Sequence, residues 1–143
     1  MKVLIHSFSY KRTGYPFDTT GTGGGFVFDC RAIDAFDYSL RNNPVAPPYW
    51  LNFTGQDPEV SAPLDRDIET QEFFNSAFAL VKLDISECLR AGISVMTVNF
   101  GCTAGQHRSV YMAERLAREI KLAFPQVEFE LVHLERLHWP PKS

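Results

Sequence analysis

Cysteine is scarce and unpaired in this chain: Cys30, Cys88 and Cys102 form an odd set with no close spacing. That argues against a disulfide framework or a zinc ribbon and for a reducing, cytoplasmic setting. Long apolar runs are missing as well. The opening MKVLIHSFSYKR turns polar at His6 and Ser7, too early for a signal-peptide core, and no stretch approaches the length of a membrane span. Strong charge of either sign is absent, since the net charge is −3 over 143 residues. A binder that depends on a broadly basic surface, such as a nucleic-acid protein, is disfavoured on that ground. The histidines at 6, 107, 133 and 138 have no metal-ligand spacing, and neither metal nor cofactor is expected.

What is present is material for a core. Apolar residues make up 45% of the chain, with twelve Phe and five Tyr. A chain of this length buries roughly two-thirds of its unfolded surface, so a single domain over 1–143 is expected. Val3–Phe8 reads as a strand, followed by a glycine-rich loop from Lys11 to Gly25. Gly21, Gly23, Gly24 and Gly25 contain no G-x-G-x-x-G and suggest a lid or a disordered connector. Phe26–Asp29 is a nearly continuous apolar run, expected to be a strand buried on both faces. Five prolines between Asn42 and Pro63 predict an irregular excursion, with a turn at Thr54–Asp57.

Apolar residues at Phe74, Ala77, Phe78, Val81, Ile85, Cys88 and Leu89 predict an amphipathic helix over 68–91 that Gly92 stops. Ile93–Phe100 reads as the third strand, and Ser109–Phe124 as a second long helix burying Met112, Ala113, Leu116, Ile120 and Phe124. Its outer face carries the pairs Glu114/Arg118 and Arg115/Glu119 at supportive spacing. Val127, Phe129, Leu131 and His133 alternate as a fourth strand with one buried face, and the tail from Trp139 to Ser143 is expected to fray. The fold class is α/β, three-layer-like, with a mostly parallel sheet of about four strands and two long helices.

The chemistry concentrates at Gly101–Ser109, GCTAGQHRS, between the third strand and the second helix. In a parallel sheet ligands lie beyond the carboxyl ends of the strands, where this loop falls. Glycines there turn the backbone so that successive N–H groups face one concavity, and the helix dipole adds positive potential. Arg108 offers a bidentate fork, His107 a titratable donor, and Thr103 and Ser109 hydroxyls. The pattern suits a phosphorylated small molecule or another anion. The same run fits C-x5-R-[ST] and resembles the phosphate loop of cysteine-dependent phosphatases. On that alternative Cys102 is the nucleophile, Arg108 the clamp and Asp57 the general acid, although Gly101 stands where those enzymes carry His.

A second resemblance uses more of the chain. Ser7-Phe8 with Lys11 and Gly14-Tyr15-Pro16, then Phe26-Val27-Phe28-Asp29-Cys30-Arg31, then Thr54-Gly55-Gln56-Asp57-Pro58-Glu59-Val60, then Gly101–Tyr111 and His133 occur in one order. Together these blocks resemble the C-terminal domain of the RapZ family of RNase adapters, formerly known only as nucleotide-binding proteins. The resemblance implies sensing of glucosamine-6-phosphate, a small-RNA or protein partner, and a ligand site of Asp29, Arg31, Thr54, Asp57, Cys102, Thr103, Ala104, Gly105, Gln106, His107, Arg108, Ser109 and His133. Three features depart from the family. No G-x4-G-K-[ST] run is present, which suggests a stand-alone copy of the domain; His138-Trp139-Pro140-Pro141-Lys142-Ser143 stands where family members carry a basic tail suited to RNA; and Leu134 stands where an Arg often follows the last His, although Arg136 is close. An RNA partner therefore finds less support here than a small anion, and no membrane partner is expected. The resemblance leaves the oligomeric state open.

Overall fold

A computed structural model describes residues 1–36 and 48–141, so the part of the proline-rich excursion at 42–47 lies outside the described residues. Four strands form one parallel sheet: β1 (Lys2–Ser9), β2 (Phe26–Asp29), β3 (Val95–Cys102) and β4 (Glu128–His133). Their spatial order is β2-β3-β1-β4. Three helices join them: α1 (Pro58–Arg66), α2 (Ile68–Ala91) and α3 (Arg108–Ala123).

The register explains which residues meet. Val3, Ile5, Ser7 and Ser9 of β1 lie beside Met96, Val98, Phe100 and Cys102 of β3. Side chains alternate along a strand, so these eight share one face. Phe28 of β2 stacks on Phe100 and meets Phe73 of α2 edge-on, while the Cys102 Sγ touches the Ser109 Oγ of α3. Both long helices therefore cover the same face. The reason is topological: β2→α2→β3 and β3→α3→β4 step in one direction across the sheet, and right-handed crossovers then place both helices on one side. The third layer is a loop. Residues 10–25 cross the opposite face, where Tyr10 and Tyr15 pack on Phe8 and a Cβ at Gly25 would lie 2.1 Å from the Thr97 carbonyl oxygen.

The core is the space between sheet and helices. Val3, Ile5, Val98 and Phe100 from the sheet meet Phe74, Val81 and Ile85 of α2 and Met112, Leu116 and Ile120 of α3, all fully or almost fully buried. Each such side chain stabilises the fold by roughly 1.5–3 kcal/mol. Helix α2 begins at Asp67, whose carboxylate accepts from the Thr70 amide at 3.0 Å, and ends at Gly92 with φ 72°. Only glycine adopts that left-handed angle without strain, so the stop read at Gly92 is the one observed.

Several expectations are corrected. The stretch from Pro58 to Pro63 is helical, because Pro58 occupies the first turn where no amide donor is needed. Pro63 frees the Glu59 carbonyl, and the Tyr49 hydroxyl donates to it at 3.3 Å. Strand β2 is half-exposed, with Val27 42% accessible, because it is an edge strand covered by α2 on one side only. Strand β4 is the other edge; Phe129 is 37% exposed, and His133 is its buried residue. Leu89 is exposed, lying beyond the stripe that faces the sheet. Within the glycine-rich loop Asp18 accepts from the Thr20 amide and hydroxyl and from the Gly23 amide. Those donors hold the Asp18 carboxyl below its ordinary range, the Thr20 hydroxyl foremost.

The helical charges and the tail also differ. Glu114 turns toward His133 and Gln56, and Arg115 stacks over Phe74 and donates to Gln71. A partly buried partner offers these groups more than a solvent-exposed helical neighbour does. Trp139 does not fray, since its indole N–H donates to the Gly105 carbonyl at 3.0 Å.

Candidate functional site

The loop between β3 and α3 sits at the carboxyl edge of the sheet. Cys102 closes β3 and Arg108 opens α3, leaving residues 103–107 as the turn. Gly105 has φ +67°, and a Cβ there would lie 2.5 Å from Glu135 Cγ, so no other residue fits. Three of the loop's carbonyls are engaged by the protein. Ser9 Oγ donates to Thr103 O at 2.6 Å, Trp139 to Gly105 O, and the Gly55 amide to Gln106 O at 2.9 Å. Among the described residues, no protein acceptor takes the amide N–H groups of residues 103–106. Four consecutive donors thus stand at the positive end of the 16-residue helix α3.

Two further ties bring a second loop alongside. The Ser9 hydroxyl accepts from the Lys11 and Arg12 amides at 3.1 Å each. Glu135, fully buried, accepts from the Thr13 amide at 3.1 Å. The exposed cations Lys11 and Arg12 are consequently carried on a segment fixed to the same strand end as the β3–α3 loop.

The residues singled out in the sequence divide by burial. Thr103, Ala104 and Gln106 are partly open; the Gln106 side chain reaches away to the Leu51 and Phe53 carbonyls, 2.9 Å each. His107 is buried, its Nε2–H donating to the Trp50 carbonyl at 2.8 Å with the rings edge to face. Arg108 is buried and donates from Nη1 to the carbonyls of Arg31 and Ile33, 2.9 Å each, tying α3 to the short 3₁₀ turn Cys30–Ala32. Ser109 Oγ lies 3.0 Å from Cys102 Sγ within the core.

Asp29 and Arg31 form a bidentate ion pair with an Nη2–Oδ2 distance of 2.7 Å, about half-exposed on both sides. Asp29 aligns with Gly101, at the root of the loop. The Arg31 guanidinium, more than Arg108, holds the Asp29 carboxyl below its ordinary range. The same guanidinium lies 3.9 Å over the Tyr10 ring. Burial and the Asp29 charge push the Tyr10 phenol up to about 12.

Thr54 and Asp57 face the other side of the loop. Asp57 Oδ2 accepts from the Thr54 amide at 2.8 Å and hydroxyl at 3.3 Å, a local turn that precedes α1. Gly55 is pressed against the start of α3, where a Cβ would lie 2.4 Å from the His107 carbonyl oxygen. A cleft of about 360 Å³ opens between this turn and the chain's last described residues, lined by Asn52, Thr54, Gln56, Asp57, Arg136 and Trp139.

His133 is buried in a chain of side-chain bonds. A carboxylate only accepts, so His133 Nε2–H donates to Glu114 Oε1 at 2.9 Å and Nδ1 accepts from the Ser7 hydroxyl at 2.6 Å. Gln56 donates to the same Glu114 oxygen at 2.7 Å. The His133 bond, ahead of the Gln56 bond, lowers the Glu114 carboxyl from its ordinary range. Ser9, Tyr10, Glu114, Glu135, Arg136 and Trp139 were not singled out from the sequence. A small hydroxyl ending a strand opposite a glycine-containing loop would have pointed to Ser9; nothing in a one-dimensional pattern marks Glu135 or Trp139. Among the described residues no group of three His, Cys, Asp or Glu side chains could hold a metal ion, and no helix is long and apolar enough to cross a membrane.

The RapZ C-terminal domain pattern matches residues 1–136, and the chain belongs to that family. A nucleotide-binding protein, Tgr7_0722 of Thioalkalivibrio sulfidiphilus, is 40% identical over 122 residues, covering 85% of this chain and 37% of that protein. Nucleotide-binding proteins of Halorhodospira halophila and Thermotoga petrophila are 37% and 38% identical over 121 and 114 residues. The chain spans little more than a third of the length of these relatives.

Proposed function

We propose that the crevice at the carboxyl edge of the sheet binds a phosphate-bearing small molecule, a sugar phosphate or a nucleotide, as a recognition and regulatory site. The observation that carries this reading is the set of amides at residues 103–106, which no protein acceptor takes among the described residues while the neighbouring carbonyls are held. Backbone donors at a helix N-terminus suit a phosphate's several oxygens. The Lys11–Arg12 segment and the Asp29–Arg31 pair border the same strand ends and offer charge and hydroxyl-accepting carboxylate to the rest of the ligand. The relatives' description as nucleotide-binding proteins supports a phosphorylated ligand. Arg108 acts in this reading mainly by holding the first turn of α3 in place.

Calorimetric titration with inorganic phosphate, a hexose 6-phosphate and a nucleoside diphosphate tests the proposal. Binding of at least one ester, retained in Cys102→Ser without turnover of the parent protein, is the expected result. No binding of any of the three contradicts it. A second reading rests on the 3.0 Å contact of Cys102 Sγ with Ser109 Oγ, a hydroxyl able to stabilise a thiolate. On that reading the chain is a Cys102-dependent phosphatase. Hydrolysis of a generic aryl phosphate, abolished in Cys102→Ser, would favour it.

A further inference from the structure

The β3–α3 loop has a second side, where its Gly105 carbonyl accepts from the Trp139 indole and its Gln106 carbonyl from the Gly55 amide. Against that side lies the cleft of about 360 Å³ between the Thr54–Asp57 turn and the end of the chain, a volume within the range of small-molecule sites. The two walls of this cleft are unlike. One is apolar, the Trp139 indole continued by Pro140 and Pro141. The bond to Gly105 and the His133 ring, 5.2 Å away between centroids, hold the indole, so its orientation is set before any ligand arrives. The other wall is polar, with the Asn52 and Gln56 amides, the Thr54 hydroxyl and the Asp57 carboxylate. Arg136 also lines the cleft, its guanidinium 5.8 Å from the Trp139 centroid, at the outer reach of a cation–π contact. Among the described residues, neither the Asn52 side-chain amide nor the Arg136 guanidinium hydrogen-bonds to a protein group.

We infer that this cleft binds a neutral saccharide ring, separately from the phosphate-bearing ligand proposed for the crevice. The walls select the chemistry. A pyranose has a face of C–H bonds and a rim of hydroxyls, which matches one aromatic wall facing one polar wall. A nucleobase has two apolar faces and needs a second flat surface opposite Trp139, where the cleft instead has Thr54 and Gln56. Charge does not favour an ion, since the lining holds Asp57 and Arg136, one group of each sign. Every sugar hydroxyl both donates and accepts. Asn52 offers a donor and an acceptor on one planar group, Asp57 accepts and Arg136 donates, so neighbouring hydroxyls can be bridged in pairs. Gln56, whose amide nitrogen donates to Glu114, keeps its carbonyl oxygen as an acceptor. None of the amides of residues 103–106 takes part, so the cleft holds its sugar whether or not the crevice binds a phosphate ester.

Spectra of ¹H–¹⁵N pairs recorded during titration with glucose, galactose, maltose and cellobiose test this, read at the Trp139 indole N–H and the Asn52 side-chain amide. At least one sugar is expected to shift both resonances saturably, with a dissociation constant of about 0.1–10 millimolar. Trp139→Ala, followed at Asn52, weakens that binding by at least about tenfold. Because this substitution also frees the Gly105 carbonyl, Asn52→Ala is the second variant. Followed at Trp139, it lowers affinity several-fold and leaves thermal unfolding unchanged, since the lost amide bonds only the ligand. Saturating inorganic phosphate leaves the affinity for the sugar unchanged. No shift at either resonance up to about 100 millimolar sugar, binding indifferent to either variant, or displacement of the sugar by phosphate overturns the inference. So does a nucleoside, adenosine or guanosine, that shifts both resonances where all four sugars fail.

Discussion

The two walls of the proposed crevice at the sheet's carboxyl edge are built in opposite ways. On the β4 side, Ser7, His133, Glu114 and Gln56 form a closed chain in which each polar group has a partner from the protein. On the β2 side, Asp29 and Arg31 pair with each other about half in water, over the Tyr10 ring. The loop between the walls combines both schemes: the Thr103, Gly105 and Gln106 carbonyls are held, while no acceptor among the described residues takes the amides of residues 103–106. A saturated network anchored on the buried Ser7 and His133 contributes to the fold and has little to offer a ligand. An exposed pair contributes almost nothing to the fold and can exchange its partner for a ligand. The difference separates what holds the site from what meets its occupant.

The comparison breaks most sharply at Gly105. Gly105→Ala adds a Cβ 2.5 Å from Glu135 at a positive φ, so the loop must move. Loss of about 1–3 kcal/mol of stability is expected from such strain, together with loss of phosphate-ester affinity beyond about tenfold, measured by denaturant unfolding and calorimetry. On the closed wall, His133→Ala leaves the Ser7 hydroxyl without its imidazole partner and Glu114 with Gln56 alone, and a cost of about 1–3 kcal/mol follows. Ester affinity per folded molecule should stay within about twofold, since removing a supporting group leaves the loop's own donors in place. On the open wall, the opposite pattern is expected. Arg31→Ala changes stability by at most about 1 kcal/mol and weakens ester binding several-fold.

Two titrations sharpen the contrast further. Glu114 has a lowered carboxyl in the folded state, so its contribution to stability is full above the unfolded carboxyl range and is lost as pH falls through the folded value. Acid unfolding of Glu114→Gln should therefore show a shallower pH dependence than that of the parent. The Tyr10 phenol moves the other way, from an ordinary value near 10 to about 12. The folded protein keeps its proton while the unfolded chain loses it, and stability drops between those two pH values. Ultraviolet titration should show one tyrosine ionising last, and Tyr10→Phe should remove that step.

Much of this was legible in the residues themselves. The helix over 68–91 and its glycine stop, the strand at Phe26–Asp29 and the βαβ unit around the loop follow from periodicity and from one residue able to take a left-handed angle. Local pattern could not show that β2 is an edge, because burial on a second face depends on which strands lie beside it. Pro63 was misleading for a related reason: the carbonyl it frees is taken by Tyr49, a contact that no window along the chain contains. At the proposed site the turn between strand and helix was readable, yet the orientation of its side chains was not. His107 and Arg108 look like ligand donors in one dimension. In three dimensions they are drawn to the carbonyls of Trp50, Arg31 and Ile33, because those carbonyls sit where the first turn of α3 docks. The backbone is the part of the loop that remains available.

The central claim therefore concerns four amides. Assigned ¹H–¹⁵N spectra recorded during titration with a phosphate ester test it directly. The amide resonances of Thr103, Ala104, Gly105 and Gln106 should move downfield together and saturate with the calorimetric affinity, while Ser7 and His133 stay within the noise. Saturable binding that leaves all four amides unmoved would contradict the account.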